Sequence, residues 1–203
     1  GETQLETDRR LISVRMNSLK GRLERVRKTR NQGRIARRRN AIPTVALVGY
    51  TNAGKSTLFN RLTKAHIYAA DQLFATLDPT LRKINLPGGA STIVADTVGF
   101  VQNLPHALVD AFRATLEEAA EADVLMFVQD GAHADRLMQE QAVLEVLYEI
   151  GAHEVPRVIV MNKVDMRPEV KPGRDEAGRV WISANSGAGL EDLGVVLAAA
   201  IGE

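Results

Sequence analysis

The apolar run Thr44-Val45-Ala46-Leu47-Val48 leads directly into Gly49-Tyr50-Thr51-Asn52-Ala53-Gly54-Lys55-Ser56-Thr57, and this junction constrains the fold more than any other stretch of the chain. A strand with no charged member is covered on both faces, which calls for a parallel sheet with helices on either side. The spacing GxxxxGK[ST] then requires strand, tight loop and helix in that order. Its glycines let successive backbone N–H groups approach phosphate oxygens, and the helix after it, read over 55–65, adds its positive N-terminal end. Lys55 would neutralise the β- and γ-phosphates. Ser56 would offer a hydroxyl to Mg²⁺, a cation that keeps several waters and takes few protein ligands. The loop thus predicts a bound nucleoside triphosphate and leaves the base open.

The base is read at Asn162-Lys163-Val164-Asp165, after the apolar strand Arg157-Val158-Ile159-Val160-Met161. A carboxylate at Asp165 can accept from both N1–H and the exocyclic amine of guanine, a donor pair that adenine lacks. Two further loops also come after apolar strands: Asp96-Thr97-Val98-Gly99 after Thr92-Ile93-Val94-Ala95, and Ser183-Ala184-Asn185 after Val180-Trp181-Ile182. The histidines, His66, His106, His133 and His153, are scattered without metal-ligand spacing and read as surface or loop residues.

Alternating apolar runs predict strands at 44–49, 81–87, 91–96, 123–129, 156–162 and 179–183, with helices at 55–65, 105–121, 134–151 and 189–201. The expected fold is α/β: a doubly wound, mostly parallel six-stranded sheet with one antiparallel strand, the ligand loops gathered at the carboxyl ends of the strands. Pro168 and Pro172 leave little room for a helix between Asp165 and Ser183, so it should be shortened or lost.

Charge divides the chain in two. Residues 1–40 carry a net +9 and the remainder −8, the pattern of a basic interaction element joined to an acidic globule. The expected boundary separates a basic helical arm, 1–41, from a nucleotide-binding domain, 42–203. In the arm Leu5, Ile12, Met16, Leu19, Leu23 and Val26 form a narrow seam interrupted by Arg9. Such a stripe needs a partner helix. Arg27, Lys28, Arg30, Arg34, Arg37, Arg38 and Arg39 come after it. Arginine-rich runs pair with phosphates in two-point fashion, which suggests RNA; a solvated helical face is the plainer alternative. With Cys 0 and no apolar run near the ~20 residues that span a bilayer, a reducing, cytoplasmic setting and a monomer without disulfides are expected. A chain opening on Gly1 instead of Met suggests a piece of a longer protein.

In this order the loops resemble the motifs of the translation-factor class of GTPases. The segment Phe74-Ala75-Thr76-Leu77-Asp78-Pro79-Thr80, together with Asp96-Thr97-Val98-Gly99-Phe100 and the opening GETQLE, resembles the HflX family of ribosome-associated GTPases over essentially the whole chain. That resemblance implies GTP and GDP as ligands, Mg²⁺ as cofactor, and the large ribosomal subunit and its RNA as partners in splitting or rescuing ribosomes. It also implies an N-terminal domain, not contained in this chain, that packs on the arm. By the same resemblance Asp96 reaches Mg²⁺ through water and the Gly99 amide senses the γ-phosphate. Thr76 ligates Mg²⁺, with Thr80 the competing candidate, and the Ala184 amide touches guanine O6. Asn185 replaces the usual lysine. Phe100 stands where Ras-type GTPases place a water-orienting glutamine, so a low intrinsic rate is expected until another element supplies that function. Asn52 is the candidate to hold a K⁺ ion beside the phosphates; the other reading is that it hydrogen-bonds its own loop. A P-loop ATPase and an RNA-binding module with little turnover remain as alternatives.

Overall fold

The computed structural model describes residues 42–64, 80–100 and 116–202. The chain divides into two units, Gly1–Ile42 and Pro43–Glu203, and the second of these contains the sheet and the nucleotide motifs. The arm, with its Arg27–Arg39 run, the segment Phe74–Asp78 including Thr76, and most of the helix expected at 105–121 lie outside the described residues.

The elements run β1 (Thr44–Val48), α1 (Lys55–Thr63), β2 (Thr80–Asn85), β3 (Ser91–Asp96), β4 (Val124–Asp130), α2 (Arg136–Glu149), β5 (Arg157–Asn162), β6 (Gly173–Arg174), β7 (Val180–Trp181) and α3 (Leu190–Gly202). Residues 116–120 are also helical. One seven-stranded sheet has the order β2-β3-β1-β4-β5-β7-β6. Strands β3, β1, β4, β5 and β7 are parallel, while β2 and β6 run antiparallel at the two edges.

Period-two alternation on β1 explains the layering. Val45 and Leu47 face a core with Leu58 and Phe59 of α1 and Leu193 and Leu197 of α3. Ala46 and Val48 face a second core with Leu116, Ala119 and Val143, Val146 and Leu147 of α2. Each fully buried large side chain stabilises by roughly 1.5–3 kcal/mol relative to exposure, so helices on both faces hold the sheet flat-on between two apolar layers. The strand order reverses at β1: the chain moves out to β3 on one side and returns to β4 on the other, and loops at that reversal part to opposite faces and leave a crevice.

One expectation is corrected. The sheet has seven strands with two antiparallel, because Gly173-Arg174 pairs with Val180-Trp181 in a short hairpin. Its turn is held by Asp175, whose carboxylate accepts from the Arg179 backbone N–H at 2.9 Å, Arg179 Nε at 2.8 Å and Trp181 Nε1 at 2.9 Å. Between Asp165 and this hairpin only a 3-10 turn remains, Val164–Met166, so the helix at that place is indeed lost.

Candidate nucleotide site

Lys55 opens α1, and Gly54 precedes it as N-cap with φ 90°. A Cβ at Gly54 would also lie 2.3 Å from Asn162 Nδ2, so both backbone angle and space demand glycine. The Lys55 ammonium folds back under the loop and donates to Gly49 O at 3.1 Å and Tyr50 O at 3.0 Å. Burial pushes its pKa from 10.5 down to about 8, opposed by the Asp96 carboxylate. Desolvation wins because two carbonyls supply only part of the hydration that the ammonium has given up.

Asp96 ends β3, where parallel register sets it beside Leu47, two residues before the loop begins. Ser56 Oγ donates to Asp96 Oδ2 at 2.8 Å. A hydroxyl and a carboxylate in contact are hard oxygen donors of the kind Mg²⁺ takes, and few protein ligands suffice for it. The residues present therefore fit the ion.

The strand does not stop cleanly at Asp96. The Thr97 hydroxyl donates to Leu47 O, Phe100 N–H to Gly49 O at 3.0 Å, and Thr51 N–H to Phe100 O at 2.8 Å. Peptide groups thus join the end of the Asp96–Gly99 loop to the phosphate loop. Gly99 lies so close that a Cβ there would meet Thr51 Cα at 2.9 Å and Lys55 Nζ at 3.0 Å. The Phe100 side chain turns inward and is fully buried in the second core.

Asn162, 2% exposed, joins three loops. Its Nδ2 donates to Ala53 O at 2.9 Å, and its Oδ1 accepts from the Ala184 N–H at 2.9 Å. The Ala184 amide, expected at guanine O6, is thus engaged by Asn162 in this structure. Lys163 sits in the left-handed region, φ 65°, and its ammonium pairs with Asp130 at 2.8 Å. Val164 N–H donates to Ile182 O, and Asp165 is exposed at the rim of the same loop cluster.

Three features escape a reading of the sequence. Asp130 ends β4 and opposes Asn162 in register; a carboxylate closing a parallel strand was the available signal. Asn162 reads as a base contact, yet its amide also ties the loops together. Arg61 of α1 donates from Nε to Ala184 O at 3.1 Å and from its terminal nitrogen to Asn185 O. Nothing local announces that contact, which spans 123 residues of sequence.

Residues 44–163 match the family model described as a 50S ribosome-binding GTPase. The chain is 56% identical over 198 residues to the GTPase HflX of Escherichia coli strain K12, covering 95% of this chain and 46% of that protein. It thus spans about half the length of this curated relative. Among solved structures, a GTP-binding protein from Sulfolobus solfataricus in complex with GDP superposes with TM-score 0.61 at 26% identity, over 94% of this chain and 61% of that one. A variant of Era from Aquifex aeolicus bound to GDP and aluminium fluoride gives TM-score 0.61 at 26% identity, over 77% and 56%. With the family model matched across the phosphate loop, the Asp96 loop and the Asn162 strand end, and the relative aligned along nearly the whole chain, this chain belongs to the HflX GTPases of the 50S ribosome-binding GTPase family.

Proposed function

We propose that residues 42–203 form the nucleotide-operated domain of a cytoplasmic, ribosome-associated GTPase that binds GTP with Mg²⁺, hydrolyses it to GDP and phosphate, and acts on the large ribosomal subunit in splitting or rescue. The carrying observation is the convergence of Lys55, the Ser56–Asp96 contact and the Asn162–Asp165 turn at the carboxyl ends of the interior parallel strands β1, β3 and β5. Support also comes from the GDP complex of the Sulfolobus protein and the GDP–aluminium fluoride complex of Era. No helix among the described residues is long and apolar enough to cross a membrane.

In this reading the amides of Gly49–Thr57 and the Lys55 ammonium hold the phosphates and offset charge developing on the transferred group. Ser56, Asp96 and, from outside the described residues, Thr76 would hold Mg²⁺, which polarises phosphoryl oxygens when bound. Gly99 packs against Thr51 and Lys55, and in this reading its amide would sense the γ-phosphate. Phe74, Ala75, Leu77 and Asp78, also outside the described residues, would add further contacts to the nucleotide. Asp165 accepts from guanine N1–H and the 2-amine. The inward Phe100 ring orients no water, so turnover is slow unless a cation or partner contributes. Asn52, exposed and at φ 62°, is the residue to hold K⁺ for that purpose.

Nucleotide binding and turnover by the purified protein and by Asp165→Asn test the reading. The variant should lose GTP affinity by about a hundredfold or more, because a donor then faces donors, and should gain xanthosine triphosphate, whose 2-oxygen accepts from the new amide. ATP should not compete in either protein. Turnover of the unmodified protein should be faster in K⁺ than in Na⁺ at matched ionic strength. Unaltered GTP affinity in Asp165→Asn sinks the base assignment, and equal rates in the two salts remove the K⁺ ion.

A further inference from the structure

Arg61 stands in the last turn of α1, where a cation ordinarily serves the helix's own terminal carbonyls. Its guanidinium instead leaves the helix and donates to Ala184 O and Asn185 O, two successive carbonyls of the loop after β7. The peptides of the described residues are trans, so each N–H points opposite to the carbonyl of its own peptide unit. Holding Ala184 O and Asn185 O towards α1 therefore directs the Asn185 and Ser186 N–H groups away from it. Ser186 N–H donates to Ser183 Oγ at 3.0 Å, and Ala184 N–H to Asn162 Oδ1 at 2.9 Å. Among the described residues the Asn185 N–H meets no acceptor. It is a donor directed away from α1, on the loop that Asn162 also holds.

We infer that Arg61 is a positioning residue for base recognition: it orients the Ala184–Asn185 peptide so that the Asn185 amide donates to the 6-oxo group of guanine. This rests on the proposed pairing of Asp165 with guanine. The arrangement divides the base between two protein elements. Asp165 reads positions 1 and 2, and a backbone N–H set by the phosphate-loop helix reads position 6. Because Lys55 and Arg61 belong to the same nine-residue helix, one rigid element then fixes groups at the phosphate end and the base end of the nucleotide. A guanidinium suits the task, since its rigid fork can hold two successive carbonyls at once and so fix both peptide units that flank Asn185.

Equilibrium competition against a fluorescent GDP analogue, with GDP, inosine diphosphate and 6-thioguanosine diphosphate as competitors, tests the inference. The thio analogue keeps N1–H and the 2-amine but presents a poor acceptor at position 6; the inosine analogue lacks only the 2-amine. Arg61→Ala should weaken GDP by roughly three- to tenfold, the effect of one or two net hydrogen bonds. It should shrink the preference for GDP over the thio analogue by the same factor and leave the preference for GDP over inosine diphosphate unchanged. Arg61→Lys, which reaches one carbonyl at a time, should fall between the two. An unaltered thio preference in both variants, or equal loss of both preferences, overturns the inference. Asp165→Asn run in parallel separates the causes: if it fails to gain xanthosine diphosphate, the guanine reading fails and takes this proposal with it. If it does gain it while the thio preference stands in both Arg61 variants, only the role of Arg61 is lost.

Discussion

Lys55 shows how one side chain couples stability to ligand. Its ammonium, disfavoured by burial, titrates at about 8 in the folded domain and at 10.5 when exposed. Between those values the unfolded chain holds the extra proton, so the nucleotide-free domain should gain stability as pH rises from about 8 to 10.5 and carry the full cost of burying the charge below that window. Nucleotide phosphates favour the ammonium, so binding should take up a proton above about pH 8, and affinity should fall by up to tenfold per pH unit. Calorimetric titration near pH 9 in buffers of different ionisation heat reads the uptake; a binding heat that ignores the buffer would contradict it. The identity of Lys55 was legible because GxxxxGK[ST] is contiguous and its chemistry local. The two carbonyls beneath it were not, since motif spacing states neighbours along the chain and says nothing of where a flexible stem folds back. Arg61 lay further out of reach: cations at helix ends are common, and its acceptors are backbone atoms that any residue supplies.

At the scale of elements, the loops behave as one unit because Asn162 spans them. Asn162→Ala removes a donor from Ala53 O and an acceptor from Ala184 N–H inside a buried site. Leaving both groups unsatisfied should destabilise the domain by roughly 2–4 kcal/mol, visible as a lowered urea midpoint with an unchanged slope. A loss below about 0.5 kcal/mol would mean that water replaces both bonds. The core strands were legible from uninterrupted apolar runs, and β3 (Ser91–Asp96) falls at the positions expected. Strand β6 was not: it has only two residues, flanked by Pro172 and a polar turn, and its pairing comes from Asp175 gathering Arg179 and Trp181. A two-residue backbone pairing reinforced by side-chain hydrogen bonds carries no hydrophobic period to read.

For the whole molecule, the arm and the domain carry opposite charge, +9 over residues 1–40 against −8 beyond. We propose that the arm contacts ribosomal RNA. Binding should then weaken with salt on a log–log slope of several, each neutralised phosphate contributing about 0.7–0.9. Replacing Arg37, Arg38 and Arg39 by Ala should flatten that slope by about two to three. Filter binding to a ribosomal RNA fragment over a salt series checks this; equal binding by residues 41–203 alone would return the arm to a solvated surface. The long-range link in the domain has another kind of consequence. Gly49, Thr51 and Phe100 are joined through peptide N–H and C=O groups, which every amino acid except proline supplies in full. Alanine at Thr51 therefore leaves that joint standing, whereas Gly49 admits no side chain, with Val128 O 2.1 Å from any Cβ, and Phe100→Ala would open a cavity in the second core. In a deep mutational survey the joint's own signature is an added intolerance of proline at Thr51 and Phe100.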